Sequence, residues 1–119
     1  MMLFVGLDVS LEKTAICVVS EHGKIEREAQ VASEPEALTR WMGDLDGTIA
    51  AIGLEAGPLS QWLHRGLTEA GLDVVLMETR QVKGALKAMP IKTDRRDAEG
   101  IARLLHLGWF RPVHCKSVS

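Results

Sequence analysis

"LFVGLDVSLEKTAICVVSEHGKIEREAQV", residues 3–31, decides the fold. "LFVGLDV" (3–9) and "TAICVVS" (14–20) are short β-rich runs joined by "SLEK", a hairpin-length connection. "EHG" turns the chain again, and in "KIEREAQV" (24–31) Ile25, Ala29 and Val31 alternate with Lys24, Glu26, Glu28 and Gln30. That period of two predicts a strand with one wet face at a sheet edge. The stretch therefore reads as an antiparallel meander of three strands.

Downstream the pattern changes to strands and helices in alternation. In "SEPEALTRWM", Ser33 and Glu36 are spaced as a capping box, and Pro35 falls in the first turn. Ala37, Leu38, Trp41 and Met42 form one helical stripe. "TIAAIGLE" (48–55) reads as a buried parallel strand. "PLSQWLHRGLTEAG" (58–71) sets Leu59, Trp62, Leu63, Leu67 and Ala70 on one face, with Gly71 as the helix stop. "LDVVLM" (72–77) is a strand, residues 79–89 are a helix closed by Pro90, and a last helix runs from about Asp94 to Leu107, ending at Gly108. Trp41 and Trp62 read as core.

Crossovers over helices are right-handed and return to the same sheet. The expected architecture is therefore α/β: a mixed five-stranded sheet of order 3-2-1-4-5 with strand 2 antiparallel and helices on both faces. The 119 residues make one domain that can bury about two-thirds of its unfolded surface. No apolar run approaches the ~20 residues of a membrane span. Cys17 and Cys115 match no zinc or redox spacing, which points to reduced thiols and a cytoplasmic location. Trp109 and Phe110 follow the last helix stop; either they pack back on this domain or the chain is the front of a longer protein.

The chemistry lies in four acids. Asp8 ends the first strand and Glu55 ends the fourth. In the expected order those strands are parallel neighbours, so both carboxylates emerge at the same edge, about 5 Å apart. That edge is where open α/β sheets bind ligands. Asp94 and Asp97, at i and i+3, share one face at the start of the last helix. If the helix crosses the same edge, four acids converge, and one like-charged pair 4 Å apart costs about 4 kcal/mol at an effective dielectric of 20. A hard divalent cation offsets that repulsion, and magnesium suits such oxygen donors. Simple capping by Asp94 and Asp97 is the plain alternative.

The net charge of −2 argues against coating nucleic acid by bulk charge. Yet Arg80, Lys83, Lys87, Lys92, Arg95, Arg96 and Arg103 put half of the Lys and Arg residues into one segment, with Arg80, Lys83 and Lys87 along one helical face. Beside an acidic metal nest that stripe reads as a track for phosphates. His22, His64, His106 and His114 have no ligand spacing and read as surface or packing residues. Ser10 and Ser60 have no base nearby and are not read as nucleophiles.

"VGLDVS", "GLEAGP" and "KTDRRDAEGIARLL" together resemble the DEDD-type transposases of bacterial insertion sequences, a group that includes the Piv-type invertases. The resemblance spans roughly residues 3–113. It implies an RNase H-like, RuvC-like catalytic domain for DNA recombination and transposition, with Asp8, Glu55, Asp94 and Asp97 as the tetrad holding Mg2+, or Mn2+ in its place. It also implies DNA as partner, action as a homo-oligomer, a structured guide RNA in some members, and a second, C-terminal domain bearing a serine. By that expectation this chain is the metal-binding half of a longer transposase, inactive alone. Two other readings stand beside it. An actin-like or sugar-kinase-like ATPase fragment also begins strand, Asp, hairpin, but "SLEK" lacks the glycine needed for close approach to phosphate. A non-catalytic nucleic-acid-binding module would keep the basic stripe and use the acids as caps.

Overall fold

The central strand is apolar along nearly its whole length because both of its faces are covered. A computed structural model describes residues 1–78, 84 and 97–108, with the backbone alone for Asp97. Its strands are β1 (Met2–Val9), β2 (Lys13–Ser20), β3 (Ile25–Ala32), β4 (Thr48–Glu55) and β5 (Val74–Met77). Its helices are α1 (Pro35–Gly43), α2 (Ser60–Glu69) and α3 (Asp97–Leu107). The sheet order is β3-β2-β1-β4-β5, as expected. β2 is antiparallel to β1 and β3, while β4 is parallel to β1 and β5. The expected helix over residues 79–89, the start of the last helix at Asp94, and the tail with Trp109 and Phe110 lie outside the described residues. No helix among the described residues is long and apolar enough to cross a membrane.

Strand alternation sorts the core into two layers. Leu3, Val5 and Leu7 of β1 join Ile16, Val18, Ile52 and Leu54 against Leu38 and Met42 of α1 and Leu63 and Leu67 of α2. The opposite face belongs to α3, whose Ile101, Leu104 and Leu105 pack with Met77, Phe4, Ala51 and Val75. Ala98 and Ala102 of the same helix pack with Cys17 and Val19. α3 lies so close to the sheet that a methyl group on Gly6 would meet the Ala98 carbonyl and stand 2.6 Å from the Ala102 nitrogen. A methyl on the neighbouring Gly53 would reach Ile101 at 3.1 Å and Leu105 at 3.0 Å. Gly6 and Gly53 are register partners, so they form one flat place in the sheet.

The direction of α3 follows from its two ends. Ala98 sits over Gly6, whereas His106 meets Phe4 edge-to-face with ring centroids 5.4 Å apart. The helix thus runs antiparallel to β1. Its far end is tied to the β2–β3 turn: Arg103 Nη1 donates to the Gly23 carbonyl at 3.1 Å, and His106 Nε2 donates to the Glu21 carbonyl at 2.8 Å. Arg103 also pairs with Glu99 at 3.0 Å. Glu21 in turn accepts the Met2 N–H, which holds its carboxyl below the usual carboxylate range.

Two local expectations are corrected. Ser33 does not cap α1; the N-cap is Glu34, with no side-chain capping bond. The Ser33 hydroxyl is used elsewhere, donating to the Ser10 carbonyl at 2.6 Å and accepting from Thr14 Oγ1 at 2.8 Å. Trp62 is not core but 51% exposed. α2 buries a narrow stripe of Ser60, Leu63 and Leu67, and Trp62 is turned about 100° from Leu63, onto the outer flank. Trp41 is half-buried against the larger core cluster, and the Arg27 guanidinium lies over its ring at 5.2 Å. The other side chains of the edge strand β3 at Glu26, Glu28 and Gln30 are exposed, matching the expected wet face. His64 donates to the Val74 carbonyl at 3.2 Å, a packing role like that of His106.

Three substitutions test this packing. Gly6→Ala should cost about 3 kcal/mol, the upper end of ordinary overpacking, because the obstructing atoms are helix backbone. Gly43→Ala, with open space around it, should move stability by less than about 1 kcal/mol; urea melts of both variants check the contrast. Ser33→Ala removes the partner of the fully buried Thr14 hydroxyl and should cost about 1–3 kcal/mol in the same assay.

Candidate active site

Asp8 and Glu55 are brought together by strand register. Leu7 pairs with Leu54 on parallel neighbours, so the acids that follow each leucine leave the sheet side by side at its carboxyl edge, about 5 Å apart by strand spacing. Leu7 and Leu54 point into the α1–α2 layer, and alternation turns the next residues to the α3 face. Both acids are half-buried and line one cleft of about 360 Å³.

The cleft has two walls. One is the β1–β2 turn, Asp8 to Leu11; the other is the β4–α2 link, Glu55 to Ser60. Each wall is stapled by a serine. Ser33 holds the first, its hydroxyl on the Ser10 carbonyl and its N–H donating to the Glu12 carbonyl at 3.0 Å. Ser60 holds the second: its hydroxyl donates to the Gly57 carbonyl at 2.6 Å and accepts the Gly57 N–H at 2.7 Å. Ser60 is 2% exposed and fully engaged, so it serves the wall and not as a nucleophile. The Ala56 N–H continues the ladder to the Met77 carbonyl at 2.9 Å, fixing the exit of β4 just past Glu55.

The third contributor is α3. Because it runs antiparallel to β1 with Ala98 over Gly6, its first residue, Asp97, opens the helix at the edge where β1 and β4 deliver Asp8 and Glu55. The positive end of the helix dipole is at that edge too. Asp94 lies outside the described residues, as do Arg80, Lys83, Lys87, Lys92, Arg95 and Arg96 of the expected phosphate track. Among the described residues no three His, Cys, Asp or Glu side chains stand together as a metal cluster. Of the expected tetrad, the described side chains are those of Asp8 and Glu55, two hard oxygen donors in one cleft, which suits a hard divalent cation.

Sequence reading missed Gly6, Gly53 and Leu11. The glycines had a signal, since "GLD" at 6–8 and "GLE" at 53–55 repeat Gly-Leu-acid on neighbouring strands. Leu11 had none; its place on the cleft rim depends on how the turn folds.

Comparison with known proteins agrees with the fold. The Thermus thermophilus RuvC structure in complex with a Holliday junction substrate superposes with a TM-score of 0.64 at 16% identity, covering 95% of this chain and 100% of that one. A second Thermus thermophilus RuvC structure gives 0.63 at 18% identity, covering 94% and 100%. At such identity the likeness shows the fold, which is RNase H-like. No curated protein sequence matches the chain significantly. The family model of the IS110-type DEDD transposases matches residues 5–117, nearly the whole length, and the chain belongs to that transposase family.

Proposed function

We propose that Asp8, Glu55, Asp94 and Asp97 form the acidic site at which this DNA transposase cleaves and transfers strands, holding Mg2+ or, in its place, Mn2+. The observation that carries the reading is the antiparallel seat of α3 on β1, which brings residue 97 to the edge shared by Asp8 and Glu55. Once bound, such a cation supplies positive charge against the oxygens of a scissile phosphodiester. The chain's own part is positional. Adjacent strand ends fix the spacing of Asp8 and Glu55, the serine staples hold the two walls, and the α3 seat sets the approach of Asp97.

DNA is the substrate on this reading, and the RuvC complex with a Holliday junction supports a branched form of it. The stripe Arg80, Lys83, Lys87, Lys92, Arg95 and Arg96 would then follow the phosphates. A serine-bearing second domain, a further copy of the chain and a structured guide RNA complete the proposed assembly, and the isolated domain is read as a metal-binding half without strand-transfer activity. The ATPase alternative is not favoured, given the transposase family and the RuvC-like fold.

Asp8→Asn and Glu55→Gln should each weaken Mn2+ binding at least about tenfold by titration calorimetry. They should also abolish DNA cleavage by the assembled transposase; unchanged Mn2+ affinity in both would sink the assignment. Lys87→Ala should weaken DNA binding evenly across sequences and reduce the slope of log K against log salt by about 1.

A further inference from the structure

We propose that Leu11 contacts the nucleobases of the DNA strand held in the cleft, parting a base step beside the scissile phosphate. Leu11 is 84% exposed, more than the other exposed large apolar side chains among the described residues, Met1, Met2, Trp62 and Leu107. Among these it is also the one that lines the cleft with Asp8 and Glu55. A lone exposed leucine is ordinary on a protein surface; what sets Leu11 apart is its place on the rim of the cleft that holds both acids.

The turn that carries Leu11 is fixed rather than left to its own tight geometry. The Ser10 N–H donates to the Lys13 carbonyl at 3.2 Å, closing the turn. Ser33 then grips it on both sides of Leu11, through the carbonyls of Ser10 and Glu12. Thr14, fully buried, backs Ser33 with its own hydroxyl. Leu11 is thus presented from a pinned loop, three residues from a carboxylate that faces the scissile bond. Apolar wedges of this kind, leucine among them, insert between base steps and unstack them. The adjoining charges are Glu12 and Lys13, of opposite sign, so the tip offers little net attraction to phosphate and suits a base or sugar contact better.

The proposal rests on the cleft being the DNA site and adds a contact to it. The test uses the assembled transposase, wild type or variant, and a four-way DNA junction with 2-aminopurine at the crossover, in Ca2+ so that binding proceeds without cleavage. Leu11→Ser should raise the junction Kd about tenfold, equivalent to about 1.4 kcal/mol, and lose the rise in 2-aminopurine fluorescence that marks unstacking. Leu11→Met, which keeps an apolar tip, should stay within about threefold of the wild type. Mn2+ affinity should be unchanged in both variants, separating this role from that of Asp8. If the wild-type protein binds the junction and Leu11→Ser binds and unstacks it equally well, the role of Leu11 falls and the acidic site stands. If the wild type fails to bind the junction at all, the reading of the cleft falls and takes this proposal with it.

Discussion

The whole arrangement depends on how closely α3 can approach the sheet. Gly6 and Gly53 leave a bare patch across β1 and β4, and Ala98 and Ala102 present a correspondingly slim helix face. Larger side chains at any of these points would lift the helix and carry its first residue away from the strand ends. The contact therefore does two jobs. It closes one of the two core layers, and it sets how far Asp97 stands from Asp8 and Glu55.

The remaining polar contacts serve the same end of the molecule or brace the other. At the acidic edge, Ser33 and Ser60 each spend a hydroxyl on a loop carbonyl, and each bond holds the shape of its own wall of the cleft. At the opposite edge, Arg103 and His106 fasten the end of α3 to the β2–β3 turn. Short hydrogen bonds to backbone carbonyls do the positioning.

Much of this is legible in the sequence. Strand order followed from the hairpin-length link at "SLEK" and from crossover handedness, because those are local signals joined by a strong topological rule. The bounds of β4, Thr48–Glu55, were read directly from an uninterrupted apolar run. Placement of Asp8 and Glu55 at one edge followed from the same reasoning. What failed was detail that depends on tertiary partners. Ser33 matched a capping pattern, yet Thr14 and Ser10 offered its hydroxyl better use, and no sequence spacing announces such a competition. Trp62 obeyed helical periodicity, but periodicity gives the centre of a stripe more reliably than its width. The seat of α3 is only half legible: a glycine in a strand marks a bulge, a bend or a close backbone approach, and the facing alanines decide for the approach.

The anchored end of α3 also bears on how distant residues govern the acidic edge. An α-helix behaves as a screw: a slip of one residue would advance it by 1.5 Å and rotate it by 100°. Asp97 would then leave the sector it occupies, although nothing near it had changed. Arg103 and His106 oppose that slip from the opposite rim of the sheet, gripping carbonyls at Gly23 and Glu21. The β2–β3 turn, at the opposite edge from Asp8 and Glu55, thereby acts as the stop that indexes the screw.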